Sequence, residues 1–115
     1  MKEEIVVQNV STSEKAWTFL DGSKRNAVVL HTCFIGLGTY LPGWRWSQHV
    51  GTITGKSAQS HIGYVVSGKF CVKAADGTEK EVGPGDAFEV GPGHDAWVVG
   101  DEPCVALDFG SQNHI

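Results

Sequence analysis

The sequence predicts an all-β domain, a sandwich or barrel of about eight or more short strands. Three observations lead there. Glycine is in excess: 15 of 115 residues, about 13% against a usual figure near 7%. With 4 prolines added, the composition favours many turns and therefore many short strands. From residue 60 onward, apolar runs recur every 8 to 12 residues or so, with turn signals between them, as in sandwiches and barrels. No long amphipathic helix is visible.

The elements follow in order. Residues 5–10 form a short β-like run. Ser11 to Glu14 has the form of a capping box, and a single helical turn is expected over 15–20. Asp21-Gly22-Ser23 is a turn signal. Residues 27–33 are rich in β-branched and apolar side chains and read as a strand. A second strand covers 34–41, with Gly36 and Gly38 inside it, and interior glycines point to bulges or close backbone approach. Pro42-Gly43 breaks the run, and 51–60 reads as a polar loop. Residues 62–66 form a strong strand. After a tight turn at Ser67-Gly68, residues 70–74 are expected to return as its hairpin partner. Asp76-Gly77 turns the chain into 79–82. Gly83-Pro84-Gly85-Asp86 turns it into 87–90, and Gly91-Pro92-Gly93 into 96–99. The last strand is 104–109, and 110–115 looks like a tail. The half from 60 onward reads as a meander. One domain spans 1–115, with its core at about 27–110 and an N-terminal extension over 1–26.

Composition excludes several classes. Hydrophobic residues make up 41% and charged residues 19%, the balance of a folded globular chain. The net charge is −4, which argues against a nucleic-acid partner needing a basic patch. No apolar run is long enough for a membrane span. The N-terminus lacks a signal-peptide core, so a cytoplasmic location is expected. Cys33, Cys71 and Cys104 are odd in number and widely spaced, which suits buried thiols better than a disulfide framework. No Gly-x-Ser-x-Gly, P-loop or dinucleotide fingerprint is present.

Two motifs in the right order resemble those of the cupin superfamily, over about residues 36 to 110. The first motif runs from Gly43 through five residues to His49, and closes at Gly68, with six residues between it and His61. His49 matches the first histidine of that motif, and His61 stands where the family has a glutamate. The second motif is seen in Gly85-Asp86-Ala87-Phe88-Glu89-Val90-Gly91-Pro92-Gly93, followed directly by His94. The sequence departs from the family at two ligand positions, Gly51 and Ala96, and His94 is displaced by two residues.

The resemblance implies a jelly-roll-like barrel and, in many members, a metal. His49, His61 and His94 are the candidate ligands for a divalent ion such as Zn, Fe, Ni or Mn. Neutral imidazole suits these metals, and three such ligands leave a coordination position open. The same histidines could hydrogen-bond a small polar ligand without metal. Arg45, Tyr64 and Phe88 are candidate pocket residues. Arg45 could hold an anion by a bidentate contact, with a surface salt bridge as its plainer reading. Tyr64 and Phe88 could equally be core aromatics.

Residues two apart on a strand share a face. Arg45, Ser47 and His49 would then share one face, with Trp44, Trp46 and Gln48 on the other. If His49 faces inward, both tryptophans point outward and need cover. Cupins commonly pair, so a homodimer closing over Trp44 and Trp46 is expected. The expected function is binding of a metal ion or small polar ligand through histidines. The alternatives are a metal-dependent enzyme (dioxygenase, isomerase or decarboxylase) and a non-catalytic sensor or structural domain.

Overall fold

The computed structural model describes residues 4–51 and 60–111. Among these, nine strands form two antiparallel sheets. They are β1 (Ala16–Thr18), β2 (Lys24–Val29), β3 (Cys33–Tyr40), β4 (His61–Ser67), β5 (Phe70–Lys73), β6 (Glu79–Val82), β7 (Ala87–Val90), β8 (Asp95–Val98) and β9 (Cys104–Ser111). The larger sheet has the order β1-β2-β3-β9-β4-β7, and the smaller β6-β5-β8. No described helix is long and apolar enough to cross a membrane.

From β4 onward the chain changes sheet repeatedly, and this makes the jelly roll. The expected β4–β5 hairpin does not form. β4 pairs with β7 and β9, whereas β5 pairs with β6 and β8. Gly68 allows the change of sheet. Its φ is +76°, and a Cβ there would collide with the backbone of Pro103 and Cys104. Only glycine tolerates both conditions. The meander expected from residue 60 is therefore an alternation between two layers. Hairpin-like spacing cannot distinguish these paths, because a tight turn can reverse a strand within a sheet or tip it onto the facing one. The Asp76-Gly77 hairpin does form, joining β5 to β6.

The N-terminal part also differs from expectation. The helical turn expected over 15–20 is replaced by β1, whose residues Ala16 to Thr18 pair with Asn26 to Lys24. The cap lies earlier: the Asn9 side chain accepts from Ser11 N at 2.9 Å, opening a 3-10 turn over Val10–Thr12. Residues 5–9 form no strand. The sheet thus begins at Ala16, ahead of the core boundary read near residue 27. Tertiary pairing outweighs weak local preference in segments this short. Of the loop expected over 51–60, residues 52–59 lie outside the described residues, and Gly51 closes a π-helical turn, Ser47–Gly51.

The core lies between the layers and contains Trp44, Val65, Phe70, Val72, Val90, Val98, Cys104 and Ala106. Trp44 is only 4% exposed, which corrects the outward placement of the tryptophans. Arg45 bridges Trp97, and Val98 N donates to Trp44 O at 3.1 Å. Segment 44–45 thus lies beside β8, and Trp44 faces inward with Val98. The π turn then breaks the two-residue alternation, so His49 cannot be placed by counting from Trp44. All three cysteines are free, with Cys71 and Cys104 buried.

Candidate functional site

The inward side chains of the larger sheet lie in rows fixed by strand register. One row runs Gly36, Asp108, Gly63, Phe88 across β3, β9, β4 and β7. The next inward residue of β4 is His61, beside Val90 on β7. A strand separation near 4.8 Å leaves little room for four large side chains in one row. The glycines relieve this. A Cβ on Gly63 would strike the Phe88 ring, and one on Gly36 would strike Asp108 Oδ1 and Arg25 Nη2.

The space over Gly36 holds a buried ion pair. Arg25 on β2 reaches across β3 to Asp108 on β9. Its Nε lies 3.0 Å from Oδ1 and its Nη2 2.7 Å from Oδ2. The two hydrogen bonds are parallel and charge-assisted, the strongest type available to this pair. Arg25 also lies over the rings of Trp17 and Phe34, at 5.4 and 5.5 Å. Tyr40 lies over Gly38. Burial first, and then the Asp108 charge, push its hydroxyl well above the ordinary tyrosine pKa, so it stays protonated.

His94 leaves the Gly91-Pro92-Gly93 turn and is 8% exposed. Its Nδ1 lies 3.1 Å from Gly91 O. A carbonyl can only accept, so Nδ1 carries a proton and donates to it, and Nε2 is the ring nitrogen left for another partner. The His61 and His94 rings are 5.7 Å apart, and His61 stacks on Phe88 at 5.9 Å. Burial lowers the His61 pKa, with His94 and Arg25 acting in the same direction against the Asp108 carboxylate. His61 is therefore neutral at pH 7.

The structure brings His61, His94 and Phe88 together at one end of the interior. His49 is not part of this group. Its ring stacks on Trp44 at 6.5 Å, and its Nδ1 lies 3.0 Å from Arg45 N and 3.1 Å from Arg45 O. Arg45 is held on the outer side of the smaller sheet. Its Nε donates to Asp95 Oδ2 at 2.9 Å, and its guanidinium covers Trp97 at 4.2 Å. Burial opposes ionisation of Asp95, but hydrogen bonds from Ser47 and Arg45 outweigh it and hold the carboxyl below its ordinary pKa. Tyr64 is on the outer face of β4 and 39% exposed, away from the interior. Sequence reasoning did not single out Arg25 or Asp108. The only signal was the pair of glycines at 36 and 38, which mark a close approach but not the groups that make it.

The cupin domain family matches residues 45–110, more than half of the chain. The chain is a cupin. It resembles an RmlC-like cupin from Shewanella frigidimarina with a TM-score of 0.64 and 22% identity, covering 96% of this chain and 92% of that one. KdgF from Halomonas sp. matches with a TM-score of 0.59 and 25% identity over 80% of each chain. The oxalate decarboxylase of Bacillus subtilis, described for its Mn(II) centres, matches with a TM-score of 0.55 and 25% identity, over 81% of this chain and 26% of that one. None of the curated proteins matches in sequence.

Cupins often hold metals, and the residues of this cupin can be tested for one. Gly51 and Ala96, where the motif resemblance implies ligands, carry no donor side chain. Among the described residues, no three His, Cys, Asp or Glu side chains are grouped to hold an ion. His61 and His94 stand as a pair. The described residues therefore do not fit a metal centre with three or more protein ligands.

Proposed function

We propose that this cupin binds a small, uncharged, hydroxyl-bearing molecule at the end of the barrel formed by His61, His94 and Phe88. The observation that carries this reading is the hydrogen bond from His94 Nδ1 to Gly91 O, which fixes the ring and leaves Nε2 available beside the imidazole of His61. Two imidazoles offer hydrogen bonds to hydroxyl groups, and Phe88 supplies an apolar wall. An anionic ligand is disfavoured, because the nearby Arg25 charge is already matched by Asp108.

A second reading has one observation in its favour. Nε2 of His94 is not occupied by the Gly91 contact and could ligate a divalent ion such as Zn, Fe, Ni or Mn, and the similar oxalate decarboxylase is described with Mn(II) centres. Such an ion would have two protein ligands here and would be weakly held. Catalysis of the dioxygenase, isomerase or decarboxylase type would require turnover in addition to binding.

The test is an imidazole-detected NMR titration of the protein with polyols, sugars and small carboxylates, paired with elemental analysis. Polyols or sugars should shift the His61 and His94 resonances saturably, and His94→Ala should abolish the response. Response to carboxylates alone would defeat the ligand reading. Protein grown with Zn, Fe, Ni and Mn and purified with a stoichiometric metal, lost in both His61→Ala and His94→Ala, would establish the second reading instead.

A further inference from the structure

One donor in the interior has no partner. Trp44 is 4% exposed, and among the described residues its Nε1 is the one enclosed side-chain nitrogen or oxygen without a hydrogen bond. The other buried polar side chains are satisfied: Ser23 by Asp21 and Leu41, Asp108 by Arg25, and His94 by Gly91. An unpaired N–H inside a protein is costly, so such an atom points to a group that accepts from it. Indole nitrogen only donates, so the missing partner is an acceptor.

The surroundings narrow its chemistry. Phe19, Tyr40 and Phe70 surround the indole, with ring centroids 6.0, 4.4 and 6.0 Å from it. The two phenylalanines carry no polar side-chain atom, which leaves Tyr40 as the ring that can share a ligand with Nε1. The Tyr40 ring folds back over Gly38, where a Cβ would collide with the hydroxyl. Burial and the Asp108 charge keep that hydroxyl protonated, so it can give or take a hydrogen bond. The same carboxylate disfavours an anion beside it, and a cation has no lone pair for Nε1. A neutral oxygen meets both groups. An internal water needs about two to four polar partners, and these two side chains supply the minimum.

This cluster is separate from the His61–His94 end. On β9, Cys104 lies opposite Tyr40 and Phe109 opposite Ile62. Those two positions are roughly 17 Å apart along the strand, and the Arg25–Asp108 pair stands between them.

We infer that a neutral oxygen is bound between Trp44 Nε1 and the Tyr40 hydroxyl, accepting from the first and sharing a hydrogen bond with the second. In the protein alone its source is one internal water molecule, and a polyol hydroxyl is the other source of the same chemistry. Loss of the polyol response at His61 and His94 would defeat the ligand reading given above and leave this site untouched.

Nuclear magnetic resonance of the isotope-labelled full chain is the test. The indole N–H signal that disappears in Trp44→Phe belongs to Trp44. In the protein alone it should show a rotating-frame Overhauser contact to a long-lived water. If glycerol or glucose supplies the oxygen, adding it should replace that contact with a saturable shift of the same signal. Tyr40→Phe removes only the hydroxyl; it should move the Trp44 signal and lower the melting temperature by about 4–8 °C. Because one oxygen serves both groups, the losses in Tyr40→Phe and Trp44→Phe should be less than additive in the double variant. If Trp44→Phe does not fold, substitution of Trp17, Trp46 and Trp97 identifies the signal by elimination, and Tyr40→Phe carries the test. An indole proton that contacts neither water nor an added polyol overturns the inference. So does a Tyr40→Phe variant as stable as wild type with an unmoved Trp44 signal, and so do strictly additive losses.

Discussion

Arg25 and Asp108 dominate the electrostatics of the interior. Each is nearly enclosed, with side-chain exposures of 16% and 9%. Removing one member of such a pair leaves an uncompensated charge, whereas replacing both with apolar groups can be close to neutral. Arg25→Met should therefore lower unfolding free energy by about 3–5 kcal/mol, and Arg25→Met with Asp108→Leu by clearly less. Urea denaturation of the two variants checks this, and equal losses would mean that the pair carries no buried charge. His61 sets a pH dependence. Its folded pKa lies below the unfolded value of 6.5, so the unfolded chain binds the extra proton first. The His61 contribution is full above pH 6.5 and is lost as pH falls through the folded pKa. Between pH 7 and 5, stability should fall less in His61→Gln than in wild type. Trp44 packs in the core. Trp44→Ala should cost about 3–5 kcal/mol.

At the scale of the elements, glycines decide which strands can carry polar or aromatic groups across the interior. Gly36 is the sharpest case, because β3 must pass beneath the Arg25–Asp108 pair. Gly36→Ala should destabilise by about 1–3 kcal/mol. Gly38→Ala acts on the Tyr40 ring instead, whose position over Gly38 a Cβ would displace. Sequence alternation located most strands from β2 to β9 within a few residues. It failed at 44–51, where one bridge and a π turn replace a regular strand. That failure reversed the faces of the tryptophans and separated His49 from the other two histidines. It failed again at β1, where three residues owe their conformation to pairing with β2.

The molecule as a whole has one core shared by both sheets. Its radius of gyration is 14.1 Å, close to the value of about 13 Å expected for a compact domain of this length. Because the chain from β4 to β9 crosses repeatedly between the layers, neither sheet can unfold without exposing the inner face of the other. Tryptophan fluorescence and far-ultraviolet circular dichroism should therefore report one coincident transition in denaturant. Two separated midpoints would mean that the sheets unfold independently.

Sequence by itself determined the all-β class, the strand-and-turn rhythm, the cupin family and the absence of donor side chains at Gly51 and Ala96. These properties are local: turn chemistry, alternation over a few residues and short motifs. The tertiary structure decided which imidazoles meet, that Arg25 finds Asp108 across 83 residues of chain, and that Trp44 faces inward while Tyr64 faces outward. Those outcomes depend on strand order and register. A shift of one residue exchanges the two faces of a strand, and a change of sheet exchanges its neighbours.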